Sequence, residues 1–281
     1  MTALFIAAGT VLLILAVWLW LICPRIFHKA DMSAFDGLIV AHRGMYEKDR
    51  GIPENTMLAF RRAVENGYAI EMDVHLTADG VPVVSHDASL RRVYEADAVI
   101  EESTLAELSA FAVPGTDEHI PTFRAFLDLV GGKVPLVIEL KGTRKNVALV
   151  AAVKKELENY TGVYCIESFD PWLIAAVRRE MPGVARGFLA SRFFSEGNHG
   201  LPYFMSQCLL FNWKIRPDFI AYEKHGAGRL PMTLVCGMLG CRAVAWTVRT
   251  PEERDAAAPY FDTLICEHLD VLFPDGTKKF R

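Results

Sequence analysis

Apolar residues first form one long unbroken run and then recur in short runs separated by amphipathic stretches. The unbroken run extends from Leu4 to Cys23 and contains no charged side chain. A helix rises about 1.5 Å per residue, so about twenty residues span the hydrocarbon core of a bilayer. The run predicts one N-terminal transmembrane helix, and we take residues 1–30 as the anchor with its juxtamembrane segment.

Two other interpretations of this run stay open, a cleavable signal peptide and a buried core helix. A signal peptide favours a basic start, a shorter apolar core and small residues at the cleavage site, whereas no Lys or Arg precedes Arg25. Trp18 and Trp20, followed by Arg25, His28 and Lys29, suit a membrane interface. Because the positive charge lies only after the run, the positive-inside rule predicts a single-pass protein of the cell membrane with a cytoplasmic domain.

The remainder, residues 36–281, is predicted to form one α/β domain. Eight short apolar runs are candidate strands, and helical patterns separate most of them. The candidate strands are Leu38–His42, Ala69–Val74, Pro135–Lys141, Val163–Ser168, Arg186–Ala190, Asp218–Tyr222, Arg242–Val248 and Thr263–Cys266. Eight parallel strands with outer helices form a (β/α)₈ TIM barrel, whose active sites lie at the C-terminal ends of the strands.

Two segments depart from this repeat. Val81–His86 follows the second strand too closely for a crossover helix, so we expect an antiparallel hairpin with its turn at Asp79-Gly80. Residues 87–121 are irregular and predict a small insertion near the barrel mouth. Between the first two strands, a helix is expected to be capped by Asn55 and to run to Asn66.

Composition limits the classes of function and compartment. The net charge of -4 gives no reason to expect nucleic acid as a partner. The six cysteines are scattered without a C-x-x-C pair, and several lie in apolar runs. This pattern favours a reducing compartment, in agreement with the cytoplasmic orientation. Oligomeric state is not indicated.

Alternation along two predicted strands points several charged side chains into the barrel. Apolar residues face outward in both strands, which leaves Glu71 and Asp73 inside on one and Glu139 and Lys141 inside on the other. Three inward carboxylates repel one another, and a divalent cation with oxygen ligands, Mg²⁺ or Ca²⁺, would resolve this. The alternative is a set of buried ion pairs with Arg43 and Lys141 and no metal.

Two histidines are expected at the same end of the barrel. His42 ends the first strand and His86 ends the hairpin. Either one alone could be a core histidine, but two beside a metal site are better explained as an acid and base pair. Arg43 is expected to turn inward where Gly44 lets the chain bend. Trp246 is equally compatible with core packing and with a wall of the substrate site.

These residues occur as an ordered series of motifs that resembles the glycerophosphodiester phosphodiesterase family, in its membrane-anchored bacterial form. The motifs are His42-Arg43-Gly44, Pro53-Glu54-Asn55-Thr56, Glu71-x-Asp73-Val74, Thr77-x-Asp79-Gly80, His86-Asp87 and Ile138-Glu139-x-Lys141. The resemblance implies a metal-dependent barrel that hydrolyses glycerophosphodiesters to sn-glycerol 3-phosphate and an alcohol. Its substrate partner would be a small glycerophosphodiester.

The resemblance also implies individual roles. Glu71, Asp73 and Glu139 match metal ligands, His42 and His86 the catalytic base and acid, and Arg43 and Lys141 phosphate contacts. One departure follows the last strand, where many relatives have Thr-Asp-Arg/Lys-Pro and this chain has Cys266-Glu267-His268-Leu269. Glu54, Glu167 and Glu223 receive no definite role.

Three hypotheses about function remain. The first is hydrolysis of water-soluble glycerophosphodiesters, and the second is the same chemistry on lysophospholipids or a glycerophosphate polymer at the membrane. The third is a membrane-tethered binding module without turnover, which is disfavoured because every residue that the mechanism needs is present. Residues 193–213 are rich in aromatic side chains and are either helix packed on the barrel or an apolar rim that accepts lipid.

Overall fold

The computed structural model describes residues 1–280 and contains a closed barrel of eight parallel strands. Eight of the following nine strands form the barrel: β1 Ile39–Ala41, β2 Ala69–Leu76, β3 Pro82–Val84, β4 Leu136–Leu140, β5 Tyr164–Ser168, β6 Ala185–Ala190, β7 Phe219–Glu223, β8 Arg242–Val248 and β9 Thr263–Cys266. The hydrogen-bonded order is β1-β9-β8-β7-β6-β5-β4-β2, and β1 pairs with β2 to close the barrel. The predicted (β/α)₈ TIM barrel is confirmed.

The remaining strand, β3, lies outside the barrel. It runs antiparallel to β2, with Val74 opposite Val84, which confirms the predicted hairpin. This pairing extends β2 to Leu76, two residues beyond the predicted end. The following insertion, residues 87–121, has a small core of its own, formed by Val83, Leu90, Tyr94, Ala96, Ile100, Leu108, Val113 and Ile120.

Most helices connect the strands on the outside of the barrel, whereas the first precedes all strands and the third and fourth lie in the insertion. The helices are α1 Thr2–Ile22, α2 Met57–Glu65, α3 Arg91–Tyr94, α4 Leu105–Leu108, α5 Phe123–Val130, α6 Asn146–Leu157, α7 Pro171–Glu180, α8 Leu201–Gln207, α9 Asn212–Ile215, α10 Leu230–Met232, α11 Pro251–Ala257 and α12 Leu269–Leu272. Short 3₁₀ turns occupy Ser33–Phe35, Lys48–Arg50, Ile100–Glu102, Phe193–Glu196 and Lys224–Gly226, and Thr233–Met238 is π-helical.

The expected cap of α2 was wrong by one residue. The side chain of Thr56, not that of Asn55, accepts the hydrogen bond from the backbone N–H of Ala59. Asn55 has a left-handed backbone conformation with φ of 55°. Its side-chain amide donates to Asp73 Oδ2 at 2.8 Å. The amide is therefore part of the barrel mouth, and the neighbouring threonine supplies the cap.

Side chains alternate between two apolar layers, as the strand pattern predicts. Ile70, Met72 and Val74 of β2 pack outward against the helices in the main core. A smaller cluster fills the interior of the barrel, and it includes Val137 and Phe219. The interior of the barrel is thus filled by packed side chains, and the charged side chains of Glu71, Glu139 and Glu167 line a cavity at its C-terminal end.

The N-terminal end of the barrel is covered by the segment that follows α1. Met32 and Phe35 are buried and pack into the cluster inside the barrel. Lys29 Nζ donates to the carbonyl oxygen of Gly240 at 2.7 Å, just before β8. Among residues 1–280, α1 is the one helix with the length and apolar composition of a membrane span or a signal sequence.

Candidate active site

Three carboxylates from two adjacent strands meet at the C-terminal end of the barrel. The parallel register of β2 and β4 sets Asp73 beside Glu139, and Glu71 lies two residues earlier on the same face. One carboxylate oxygen from each of the three lies within 4.8 Å of the other two, and all three residues are buried. A close set of hard oxygen ligands shielded from water fits a divalent cation.

The electrostatics of the three acids agree with this fit. Burial raises the pKa of Glu71 well above its usual range, and the charges of Asp73 and Glu139 add to the shift. Burial also raises the pKa of Glu139 to about 7. Burial would raise the pKa of Asp73 as well, but the nearby charge of Lys141 contributes to lowering it. Repulsion among these buried carboxylates opposes their ionisation, and a bound cation would relieve that repulsion.

Two basic side chains reach the same carboxylates. Lys141 Nζ lies 2.7 Å from Asp73 Oδ1 and 2.6 Å from Glu139 Oε1. The guanidinium of Arg43 donates from Nη1 to Glu54 Oε1 at 2.6 Å, and its Nε lies 3.6 Å from Asp73 Oδ2. Both predicted phosphate contacts therefore face the acidic cluster.

The chain bends sharply after β1, which brings Arg43 inward. Arg43 has a φ of 55° and Gly44 a φ of 81°. A Cβ on Gly44 would lie 3.0 Å from the backbone and side chain of Ala59, so this position also needs glycine for space. The bend lets the backbone N–H of Arg43 donate to Glu71 Oε2 at 2.9 Å. The expected bend is present, and it begins at Arg43 itself.

His42 is held by a carboxylate that the sequence alone did not assign. Its Nδ1 lies 2.7 Å from Glu267 Oε1, and Glu267 also accepts from Nε of Arg249 at 2.7 Å. Burial would raise the pKa of Glu267, but hydrogen bonds from His42 and Arg249 lower it. Because a carboxylate only accepts, Nδ1 carries the proton, and Nε2, 3.8 Å from Glu71 Oε2, faces the acidic cluster.

No role was assigned to Glu267 from the sequence, although its position after a predicted strand could have indicated one. The residue directly follows β9 and therefore lies at the same barrel end as His42, which directly follows β1. β1 and β9 are hydrogen-bonded neighbours. In this chain Glu267 stands in the loop that departs from the expected family string.

His86 also has a carboxylate partner at the barrel mouth. Its Nδ1 lies 2.7 Å from Asp87 Oδ1, and Arg92 Nε lies 2.5 Å from Asp87 Oδ2. Arg92 also donates to both oxygens of Glu54. Glu54 therefore acts in an ion-pair network with Arg43 and Arg92, and these contacts lower the pKa of Glu54 to about 2 although burial opposes the shift.

A cavity of about 120 Å³ joins these groups. Its wall comprises His42, Arg43, Glu71, His86, Glu139, Glu167, Phe169, Leu189, Trp246, Thr247, Arg249 and Ile265. Trp246 packs edge-on against Phe169 with ring centroids 5.3 Å apart. Trp246 thus lines the cavity and also packs on the apolar cluster inside the barrel, and its contact with substrate stays a prediction.

Of the remaining candidate residues, one lines the cavity and two form contacts elsewhere. Glu167 is buried and lines the cavity, and burial raises its pKa well above the usual range, with a further contribution from the charge of Glu139. Glu223 instead pairs with Arg192 at 2.8 Å. His75 lies buried in the hairpin, with Nε2 3.3 Å from the carbonyl oxygen of His86.

The aromatic segment at residues 193–213 reaches both ends of the barrel. Phe193 contacts Phe169 at the mouth, and Phe204 is 43% exposed on α8. Trp213 on α9 lies at the other end, where it stacks on Trp20 at 5.1 Å between centroids. The segment is therefore not one continuous rim.

Comparisons with known proteins agree with this geometry. Residues 42–260 match the Glycerophosphoryl diester phosphodiesterase family. YhdW of Bacillus subtilis is 36% identical over 250 residues, which cover 85% of this chain and 97% of that protein. A glycerophosphodiester phosphodiesterase of Caldanaerobacter subterraneus subsp. tengcongensis is 32% identical over 166 residues, which cover 54% of this chain and 66% of that protein.

Solved structures share the fold. An Oleispira antarctica phosphodiesterase, in complex with the product sn-glycerol-3-phosphate, superposes with a TM-score of 0.68 at 22% identity. The match covers 83% of this chain and 94% of that one. At this identity the likeness shows the fold.

Proposed function

This chain belongs to the glycerophosphoryl diester phosphodiesterase family and is a phosphodiesterase, and we propose that it hydrolyses glycerophosphodiesters to sn-glycerol 3-phosphate and an alcohol. One observation carries the proposal. Three buried carboxylates form one cluster, two of them, Glu71 and Glu139, line the same cavity as His42 and His86, and each histidine is held at Nδ1 by its own carboxylate. The product bound to the Oleispira antarctica phosphodiesterase supports the substrate class.

Glu71, Asp73 and Glu139 would hold a divalent metal, Mg²⁺ or Ca²⁺. When bound, the ion supplies positive charge to the phosphoryl oxygens of the substrate. Arg43 and Lys141 would contact the same phosphate, since both already lie against the metal-binding acids. Guanidinium and ammonium groups stabilise negative charge as it develops during phosphoryl transfer.

The two histidines would transfer the protons. We assign His42 as the base and His86 as the acid that protonates the leaving alkoxide. Glu267 and Asp87 fix the rings through Nδ1, which leaves Nε2 of each free to exchange a proton with substrate. Glu267 and Asp87 are positioning residues in this scheme.

The segment that follows α1 favours a retained membrane anchor over a cleaved signal peptide. Ile22 is fully buried, and its carbonyl oxygen accepts from Nδ2 of Asn212 at 2.8 Å. The carbonyl oxygen of Cys23 accepts a hydrogen bond from Nη1 of Arg216 at 2.7 Å. Cleavage in this region would remove contacts that cover the barrel. We therefore propose residues 1–30 as anchor and juxtamembrane segment, and residues 36–281 as the catalytic domain. The positive charge that follows α1 favours a cytoplasmic position for this domain.

The position of the anchor bears on the substrate. α1 meets the barrel at α9, and Arg25, just after α1, pairs with Asp218. Both contacts precede β7, whereas the cavity lies at the C-terminal ends of the strands. The mouth is thus at the end of the barrel away from the anchor. This arrangement favours water-soluble glycerophosphodiesters over lysophospholipids or a glycerophosphate polymer in the same bilayer, and it gives no support to a binding module without turnover.

The test compares two substrates with and without a chelator. We expect the full-length protein to release sn-glycerol 3-phosphate from glycerophosphocholine and to lose this activity in excess EDTA. Lysophosphatidylcholine should react much more slowly. A preference for lysophosphatidylcholine would select the lipid alternative, and no turnover of either substrate with added Mg²⁺ or Ca²⁺ would contradict the proposed activity.

A further inference from the structure

A second cavity lies at the N-terminal end of the barrel, where the end of α1 meets the outer helices. Its volume is about 560 Å³, within the range of small-molecule sites. Its wall shares no residue with the catalytic cavity. Four arginines line it, Arg25, Arg178, Arg186 and Arg216, and no Asp or Glu does among the residues that the structure describes.

Arg186 occupies a position that strand alternation reserves for an apolar residue. It lies on the same face of β6 as Phe188 and Ala190, which pack in the outer core. The residue is 3% exposed, and its Nε donates to the carbonyl oxygen of Ile215 at 2.8 Å. Within residues 1–280, no acceptor contacts its two terminal nitrogens. A buried guanidinium with free donors is costly unless an anion meets it.

The neighbouring charges increase this cost. Burial, together with the charges of Arg25 and Arg178, lowers the pKa of Arg186 to about 10, although the charge of Asp218 opposes the shift. Asp218 is the nearby acid, but its oxygens accept from the backbone N–H groups of Ala30 and Arg186 and lie 3.4 Å from Arg25. One carboxylate with several donors leaves the cluster of arginines positive.

We propose that this cavity binds the phosphate of an anionic phospholipid headgroup, with Arg186 at its base and Arg178 at its exposed side. Arginine forms paired hydrogen bonds with phosphate, and its charge is permanent at neutral pH. The inference rests on the proposal that α1 spans the membrane. It adds a lipid site at the barrel end opposite the catalytic cavity.

Apolar side chains around the cavity indicate a lipid as the source of the phosphate. Ile26 and Phe27 are 50% and 79% exposed beside the arginines. Trp20, on the last turn of α1, lines the cavity and lies under the guanidinium of Arg216. Basic and aromatic side chains at the end of a transmembrane helix are the combination that recognises anionic headgroups at the interface.

The test titrates the full-length protein in dodecyl maltoside micelles with dioctanoyl phosphatidylglycerol or dioctanoyl phosphatidylcholine. Tryptophan fluorescence reports binding because Trp20 stacks on Trp213 next to the cavity. We expect the anionic lipid to bind at least about tenfold more tightly. Arg178→Gln and Arg186→Gln should each weaken it about tenfold or more. Arg91→Gln, an exposed arginine of the insertion, should not change it.

Equal affinity for the two lipids, or unchanged binding by the variants, would overturn the proposal. Inorganic phosphate that displaces phosphatidylglycerol at equal concentration would show a site for free anions and overturn the lipid assignment. The melting temperature without lipid shows whether Arg186→Gln is folded, and the exposed Arg178→Gln decides the question if it is not. Turnover of glycerophosphocholine by the same preparations tests the proposed activity separately, and resistance to carbonate extraction from membranes, measured before detergent is added, tests the anchor.

Discussion

The two ends of the barrel present opposite charges in two separate cavities. The C-terminal end gathers buried acids, Glu71, Asp73, Glu139, Glu167 and Glu267, around a small cavity. The N-terminal end gathers arginines and tryptophan around a larger one beside α1. Each cluster carries charge that its own side chains do not fully neutralise, so the acidic end fits a cation and the basic end fits an anion.

The strands between the two clusters explain why one domain tolerates both. Barrel strands of three to eight residues separate the ends by roughly 10–25 Å, and apolar side chains fill the space between them. Charges at this distance interact weakly when solvent screens them. A substitution at one end should therefore leave the function of the other unchanged, and the Asn212→Ala variant tests this separation.

The largest effect should come from Glu71→Gln at the acidic end. Loss of one charged ligand should lower kcat/KM on glycerophosphocholine by about 10²–10³-fold and weaken divalent-cation binding. The melting temperature of the variant in EDTA should not be lower than that of the wild type, because the substitution removes repulsion among buried carboxylates. Steady-state kinetics and calorimetric titration with Mg²⁺ measure both effects. Glu65→Gln, on the exposed face of α2, is the matched control, and full activity of Glu71→Gln would contradict the metal role.

The two histidines should show different dependence on the leaving group. Loss of a general acid or base costs about 10²–10⁴-fold. His86→Ala should slow glycerophosphocholine strongly and a p-nitrophenyl phosphodiester much less, because p-nitrophenolate leaves without a proton. His42→Ala should slow both substrates alike. The reverse pattern would exchange the two roles, and no slowing by either variant would refute the two-histidine mechanism.

Glu267→Gln should resemble His42→Ala in pattern but with a smaller loss. An amide keeps a hydrogen bond to Nδ1 of His42 but removes the charge that supports the protonated ring. We expect a loss of about 10–100-fold in kcat on both the activated and the unactivated substrate, with little change in KM. Glu267→Asp should restore part of the activity. A loss confined to the unactivated substrate would instead connect Glu267 with the acid step.

Local rules predicted most of the acidic end. Period-two alternation placed Glu71, Asp73 and Glu139 inside the barrel, and the short link before β3 predicted the hairpin that carries His86. Residues that act across long sequence separations were missed. Glu267 is far from His42 in the sequence, and only closure of the barrel by β1 and β9 brings them together.

The basic end could not be predicted in the same way. Arg25, Arg178, Arg186 and Arg216 occur in different elements, with no shared motif or spacing. In the sequence, Arg186 was only the first residue of a predicted strand. Its burial depends on how α7 and α9 pack beside β6, which periodicity does not specify. Similarly, Asn55 was expected to cap a helix because its side chain suits that role, and its tertiary contact with Asp73 decided otherwise.

The smallest effect on catalysis should come from a change at the basic end that loosens the attachment of α1. Asn212 is fully buried, and its Nδ2 donates to the carbonyl oxygen of Ile22. Asn212→Ala leaves that carbonyl unpaired at a cost of about 1–3 kcal/mol, which should lower the melting temperature of the full-length protein by about 2–8 °C. Because the contact lies at the far end of the barrel, kcat and KM on glycerophosphocholine should stay within about twofold of wild type, and exposed Asn159→Ala should change neither stability nor activity. A large fall in kcat at a temperature where Asn212→Ala is folded would mean that the two ends of the barrel are coupled and do not function independently.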